Sequence, residues 1–290
     1  MRSLSIYNLL LLMIILAIIQ TLMMNVSHIV PILRDEESMN SVRSIWAYLV
    51  LFISTIALGT TAVLTAMITR RSELAHVVAR IWGNVNLWAA GVKVEVRGLE
   101  HIDPSSSYVY AANHQSAIDI LVLLGKLPVQ FRWLAKSELF SIFVFGPAMR
   151  AAGYIPIDRS NRRRAFESMN TAAQRIKEGT SIVIFPEGTR SPDGVLQDFK
   201  KGGFILALNS QHPIVPISIS GSYRIFPKRG GWRIHPGRVQ LTISAPIPTE
   251  GLSNRERDEL IRRVREAIRT HLTIREGGVL PDPVAHDPAS

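Results

Sequence analysis

A histidine and an aspartate five positions apart, His114 and Asp119 in the stretch ANHQSAIDI, are the residues of this sequence best suited to catalysis. Residues three or four apart are neighbours on a helix, whereas a step of five points partly away. The spacing therefore predicts that His114 lies in a loop and Asp119 in the first turn of the next helix. In that geometry the carboxylate holds one ring nitrogen, and the other nitrogen can act as a base.

Such a pair can deprotonate a hydroxyl group as it attacks, a contribution of about 10²–10⁴-fold in rate. A covalent intermediate lacks an obvious nucleophile, because the sequence has no cysteine and no G-x-S-x-G motif. Metal binding lacks convergent ligands around this lone pair. The simpler alternative is a helix cap, since Ser116 and Asp119 fit an S-x-x-D pattern. Capping explains those two residues and leaves His114 unexplained.

Cations stand at the ends of several other predicted strands. In FPEGTRS, residues 185–191, Arg190 offers a planar fork suited to phosphate, and Gly188 permits a turn with exposed backbone N–H groups. Taken alone, this motif is better explained as a plain turn with a surface Glu–Arg pair. Arg159 ends IPIDR and Lys136 ends FRWLAK in the same manner. Together with the His–Asp pair, these positions predict a phosphorylated substrate whose hydroxyl group is activated.

The elements that must position these residues alternate between strands and helices, which predicts an α/β fold with a mixed sheet flanked by helices. The predicted strands are 92–98, 107–114, 131–136, 153–159, 181–185, 212–221 and 238–247. The predicted helices are 72–91, 138–153 with a kink near Pro147, 162–179, and one opened by the capping-box pattern of Ser253 and Glu256. Both ligand motifs follow strands, where α/β sheets place their sites.

Two uncharged apolar segments precede this domain, at about 4–24 and 45–68. A spanning helix needs about 20 apolar residues, so we predict two N-terminal transmembrane helices. A signal peptide is the alternative for the first, but no A-x-A cleavage site follows it. Arg70 and Arg71 close the second segment, which favours both chain ends on the cytoplasmic face of the cell membrane and the short loop outside.

These segments divide the chain into three parts. Residues 1–71 form a membrane anchor, 72–275 a catalytic domain with an N-terminal interfacial helix at 72–90, and 276–290 a Pro- and Asp-rich disordered tail. The net charge of +10 predicts anionic partners. Membrane lipids explain that charge best beside two apolar segments, and no nucleic-acid-binding motif is present, so no nucleic acid partner is expected.

The His–Asp stretch and three further motifs together resemble the 1-acyl-glycerol-3-phosphate acyltransferase family, over about residues 75–250. The motifs are NHQSAID at 113–119, GYIPIDR at 153–159, FPEGTRS at 185–191 and IVPISI at 214–219. The resemblance implies a membrane-bound acyltransferase that moves a fatty acyl group from a thioester to the sn-2 hydroxyl of lysophosphatidic acid, giving phosphatidic acid. It implies no bound cofactor, no metal, and acyl-CoA or acyl-ACP (acyl carrier protein) as donor substrate.

The resemblance also assigns roles to residues. His114 would be the general base and Asp119 its orienting partner, and Val215 and Pro216 of the apolar motif would have a structural or acyl-lining role. The substrate-binding residues would be Lys136, Arg159, Glu187, Gly188, Thr189 and Arg190. Pro156 departs from the family pattern, where Phe is common, which predicts a pocket of different shape at that position. Alternatives are a different lysolipid acceptor, acyl transfer from lipid to lipid, or a non-catalytic membrane lipid-binding protein.

Overall fold

The structure, a computed structural model, describes residues 36–158 and 160–282, without the side chains of Glu36 and Arg162. Three features named above lie outside the described residues. They are the predicted first membrane span at 4–24, the site candidate Arg159, and the tail from residue 283 onward.

Seven strands form one sheet, and the predicted mixed α/β architecture is confirmed. The strands are β1 Val92–Arg97, β2 Val109–Ala112, β3 Phe131–Lys136, β4 Ile155–Ile157, β5 Ser181–Ile184, β6 Ile214–Ser220 and β7 Gly237–Ile243. Their order across the sheet is β1-β7-β6-β2-β5-β3-β4. β7 runs antiparallel to β6, whereas β2 pairs in parallel with both β5 and β6. The ends of β2 and β5 therefore meet at one edge.

Helices cover both faces of the sheet, which is why β2 and β5 are buried at every position and read as continuous apolar runs. The described helices are α1 Glu36–Thr69, α2 Ser72–Ala89, α3 Ile118–Lys126, α4 Phe145–Ala151, α5 Arg162–Lys177, α6 Gly202–Ser210, α7 Ser222–Ile225 and α8 Arg257–Arg269. One apolar core packs on the α2 and α3 side and a second on the α5, α6 and α8 side.

α1 contains the predicted second membrane segment. Among the described residues it is one helix that is long and apolar enough to cross a membrane, by length and composition. It also packs on the rest of the protein along much of its length. Tyr48 donates a hydrogen bond to the backbone oxygen of Trp232 at 2.7 Å, and Gly59 faces Val144 so closely that a Cβ there would lie 2.8 Å from the valine methyl.

The helix predicted at 138–153 is interrupted. A short 3-10 helix occupies Ser137–Ser141. The backbone leaves helical geometry at Val144, which has φ +61, and α4 then begins at Phe145. Pro147 lies in the first turn of α4, where backbone N–H groups make no hydrogen bond within the helix. A proline is therefore tolerated there, and it does not kink α4.

The C-terminal segment departs from the tail predicted from residue 276. Leu280 donates its backbone N–H to the oxygen of Leu272 at 3.0 Å, and Asp282 pairs with Arg275 at 3.1 Å. These contacts hold residues 277–282 against the end of the domain, because a 3-10 turn at Ile274–Glu276 reverses the chain.

Candidate active site

The catalytic candidates lie where β2 ends. His114 is in the loop after the strand, and Asp119 is the second residue of α3, as the five-residue spacing predicts. His114 Nδ1 lies 2.9 Å from Asp119 Oδ2, and the aspartate side chain is fully buried. With Nδ1 engaged, Nε2 is the nitrogen left to act on a substrate.

The same carboxylate oxygen also organises the turn. Asp119 Oδ2 accepts the backbone N–H of Gln115 at 2.7 Å and that of Ser116 at 2.8 Å. Ser116 Oγ in turn accepts the N–H of Ile118 at 3.2 Å. Capping and the His–Asp pair are therefore one arrangement, in which the residue that closes the turn also orients the imidazole.

Asn113, immediately before the histidine, fixes the end of β2 against β6. Its amide nitrogen donates to the backbone oxygen of Ile219 at 2.8 Å, and its amide oxygen accepts the N–H of the same residue at 2.7 Å. The side chain thus replaces a backbone pairing at the point where β2 turns away from the sheet. These two hydrogen bonds fix the backbone immediately before His114.

An aromatic stack supports the imidazole. The ring of Phe185, at the end of β5, lies parallel to the His114 ring with centroids 3.9 Å apart and planes inclined by 11°. Trp133 of β3 extends the stack behind Phe185 at 5.4 Å. Phe185 therefore packs against the face of the imidazole, while Asp119 binds the nitrogen at its edge.

Glu187 is buried, with 3% of its surface exposed, and binds backbone groups of two segments. Oε1 accepts the N–H of His114 at 2.6 Å, and Oε2 accepts the N–H of Gln197 at 3.1 Å. The pKa of Glu187 is raised to about 7, mainly by burial and in part by the nearby charge of Asp119, while the two N–H groups and the charge of Arg265 act in the opposite direction. Both oxygens of this carboxyl group are thus bonded to backbone N–H groups that belong to two loops, and the substrate contact predicted for Glu187 stays a prediction.

A cavity of about 390 Å³ begins at His114 and runs between the helices. Its polar end is formed by His114, Lys136 and the loop Gly188–Arg190. The rest of its wall is largely apolar and comes from α1, α2, α3, α4 and β3. The arrangement places a base at the junction between a cationic rim and an apolar interior, which suits a lipid with an anionic headgroup.

Cations at this rim and against the loop Gly188–Arg190 come from separate parts of the chain. Lys136 Nζ lies 2.8 Å from Glu138 and is half exposed. Lys228 Nζ donates to Thr189 Oγ1 at 3.2 Å and to the backbone oxygen of Arg190 at 3.0 Å. Lys200 extends over Gly188, where a Cβ would lie 2.9 Å from the ammonium nitrogen.

The structure therefore brings together His114, Asp119, Lys136, Glu187 and the loop Gly188–Arg190 at one edge of the sheet. Sequence reasoning missed three groups of this site: Asn113, the Phe185 ring and Lys228. Asn113 and Phe185 are the first residues of the motifs at 113–119 and 185–191 and could have been given roles with them. Lys228 carries no sequence signal, because it lies 38 residues beyond Arg190.

The family model described as Acyltransferase matches residues 93–220, a range that holds both site loops. The chain is 40% identical over 181 residues to 1-acyl-sn-glycerol-3-phosphate acyltransferase alpha of Bos taurus, covering 62% of this chain and 63% of that protein. The chain thus spans under two thirds of this relative's length. It is 33% identical to the 1-acyl-sn-glycerol-3-phosphate acyltransferase of Limnanthes alba, covering 68% of this chain and 69% of that one.

A solved structure is also similar. The 1-acyl-sn-glycerophosphate (LPA) acyltransferase PlsC from Thermotoga maritima superposes with a TM-score of 0.70 at 29% sequence identity. The match covers 80% of this chain and 94% of that one, which is more of the chain than the family model matches.

Proposed function

The chain belongs to the 1-acyl-sn-glycerol-3-phosphate acyltransferase family, and from that premise we propose that it transfers a fatty acyl group from a thioester to the sn-2 hydroxyl of lysophosphatidic acid, giving phosphatidic acid. The observation that carries the proposal is the position of the His114–Asp119 pair where a cationic rim meets an apolar cavity. A lysophospholipid has an anionic headgroup that suits the cationic rim and an acyl chain that suits the apolar cavity, and its hydroxyl group lies between the two.

In the proposed reaction His114 Nε2 removes the proton from the acceptor hydroxyl as its oxygen attacks the thioester carbonyl carbon. Asp119 holds Nδ1 and stabilises the imidazolium that forms. When the tetrahedral intermediate collapses, the carbon–sulfur bond breaks and the thiolate takes the proton from His114. The products are the ester and the free thiol, so no covalent enzyme intermediate is needed.

We assign the phosphate of the acceptor to Lys136, Arg190 and the backbone N–H of Thr189. Arg190 and Lys136 line the polar end of the cavity with His114. Gly188 has φ +76 and its own N–H donates to the backbone oxygen of Phe185 at 3.0 Å, so it shapes the turn and the phosphate contact is assigned to the next residue, Thr189. Arg159, which lies outside the described residues, remains a predicted further ligand of this phosphate.

We assign one acyl chain to the apolar part of the cavity, where burying each CH₂ group contributes about 0.8 kcal/mol. The donor is proposed to be acyl-CoA or acyl-ACP, since both present a thioester on an anionic carrier. No cofactor or metal takes part in the proposed steps.

For its location, we propose a membrane protein with the catalytic domain on the cytoplasmic face of the cell membrane. The predicted topology crosses the membrane twice, at 4–24 and 45–68. The contacts of α1 favour a different course for the second segment. Glu37 pairs with Arg233 near one end of α1, and Gly59 packs on Val144 further along. We therefore propose that α1 lies along the membrane surface with the domain.

The two topologies place the connecting segment on opposite sides. Because the chain contains no cysteine, a single Ser27→Cys variant reports on one position. A membrane-impermeant maleimide should leave it unlabelled in intact cells if α1 lies on the surface, and should label it if α1 crosses. Labelling after lysis shows that the thiol is reactive.

The reaction itself is tested with purified full-length protein and its His114→Ala variant in detergent. Oleoyl-CoA or oleoyl-ACP is supplied with lysophosphatidic acid, with lysophosphatidylcholine as another acceptor and phosphatidylcholine as another donor. Phosphatidic acid from wild type alone supports the proposal. Product from lysophosphatidylcholine only would show that the enzyme uses a different acceptor. Lysolipid binding without product from any donor–acceptor pair would show a lipid-binding protein without catalysis.

A further inference from the structure

Two lysines that belong to none of the sequence motifs touch the loop Gly188–Arg190. Lys228 lies in the segment between α7 and β7 and bonds to Thr189 and Arg190. Lys200 follows the loop in sequence, and its backbone N–H donates to the oxygen of Pro186 at 2.8 Å. Its side chain returns over Gly188, so the two ammonium groups lie against the same short loop.

The surroundings of these lysines are poor in acid. Residues 199–249 contain no Asp or Glu and seven Lys or Arg. Among the described residues, neither Lys200 nor Lys228 pairs with a carboxylate, whereas the adjacent Lys201 lies 3.9 Å from Asp258. Two of three donors on the Lys228 ammonium are engaged, which leaves one for a ligand. The loop is therefore a centre of positive charge that an anion would neutralise.

The length of each substrate decides which anion fits. In the acceptor, four bonds separate the sn-2 oxygen from phosphorus, a distance of roughly 5 Å at ordinary bond lengths. In a pantetheine thioester, more than ten bonds separate sulfur from the first phosphate, on the order of 15 Å when extended. The loop lies beside the base, since Ser191 donates its backbone N–H to the oxygen of His114 at 2.8 Å. The acceptor phosphate fits this position.

We propose that Lys200 and Lys228 bind the acceptor phosphate and give the enzyme its preference for a phosphate monoester over a diester headgroup. The inference rests on the function proposed above. A monoester carries a charge of about −1.5 to −2 at pH 7, with a second pKa near 6, whereas a diester carries one charge. Cations in addition to Arg190 and Lys136 stabilise the second charge, so they favour the monoester selectively.

The test measures acceptor kinetics of the full-length protein in detergent for Lys200→Gln and Lys228→Gln, with Lys201→Gln and Arg229→Gln as matched controls. Each site variant should raise KM for lysophosphatidic acid about 5- to 10-fold, as expected for a charge-assisted contact at an exposed site. The KM of the donor and the rate with lysophosphatidylglycerol should stay within about twofold of wild type. The controls should match wild type.

The pH profile separates phosphate binding from loop packing. In wild type, KM for lysophosphatidic acid should rise as the pH falls below about 6 and the phosphate takes up a proton. In the variant that carries both Lys200→Gln and Lys228→Gln, KM should depend less on pH. Lys228→Arg, which keeps the positive charge, should show the same rise in KM as wild type. Site variants that behave like their controls would overturn the inference while leaving the acyl transfer intact. A wild type that does not acylate lysophosphatidic acid would instead overturn the proposed function.

Discussion

Glu187 accepts the backbone N–H of His114 at 2.6 Å, so the PEGTR motif holds the backbone of the residue proposed as the base. Gln197 binds the other oxygen of the same carboxyl group. The two motifs are thus joined by a buried acid whose pKa is raised to about 7. Glu187 acts on His114 through its backbone, while Asp119 acts through the ring.

We expect Glu187 to make stability depend on pH. Its pKa is raised from 4.5 to about 7, first by burial, so the folded state keeps a proton that the unfolded chain releases between those values. The free energy of unfolding should therefore fall as pH rises through this window. In Glu187→Gln the group cannot titrate, so the stability of wild type minus that of the variant should decline by up to about 3 kcal/mol.

Denaturant unfolding in detergent at pH 5 and pH 8 measures that difference. Glu250→Gln, at an exposed position, is the control and should show a constant offset from wild type. An equally constant offset for Glu187→Gln would show that the carboxyl group does not hold its proton in the fold.

Asp119→Asn tests the charge of the dyad. An asparagine oxygen can still accept the N–H groups of Gln115 and Ser116, so the turn should persist. The imidazolium loses its stabilising charge, and kcat should fall on the order of 10²-fold or more. Ser116→Ala, which removes a cap but keeps the carboxylate, should lower the melting temperature more than kcat. Full activity in Asp119→Asn would argue against His114 as a base.

Gly188→Ala should weaken acceptor binding by displacing Lys200. A Cβ at this position would lie 2.8–2.9 Å from the last carbon atoms and the nitrogen of that side chain. The positive φ also imposes strain, so Gly251→Ala is the matched control, with φ +74 and no atom within 4 Å of the added carbon. We expect KM for lysophosphatidic acid to rise several-fold in Gly188→Ala only. Equal effects in both would assign the change to strain.

Ser44→Ala should loosen α1 from the domain. Ser44 is fully buried and its Oγ accepts the N–H of Ile234 at 2.8 Å. Without it this N–H is left unsatisfied, at a cost of about 1–3 kcal/mol. Thr61→Ala, whose hydroxyl is exposed on the same helix, should change stability little. Thermal unfolding in detergent compares them, and indistinguishable melting curves would show that this bond contributes nothing to α1 docking.

Much of the fold could be predicted from the sequence. All seven strands are confirmed, because short apolar runs such as β2, β5 and β6 and an alternating segment such as β1, each bounded by turn signals, have few other solutions in a covered sheet. The interruption at Val144 could not be predicted, since residues 142–149 are all apolar or glycine and φ +61 is rare for a β-branched residue. There, packing against Gly59 accompanies a conformation that local preference disfavours.

Within the candidate site, the sequence determined what depends on neighbouring residues. The five-residue step from His114 to Asp119 fixes a turn, and Gly188 permits a left-handed conformation. The tertiary structure decided what depends on strand order. It brought Lys228 to Arg190 and Glu187 to His114, because β2, β5 and β6 lie side by side while the loops after them come from distant parts of the chain. The spacing of residues along the sequence determines the local geometry of a turn. Contacts between distant segments form only when the sheet places those segments side by side.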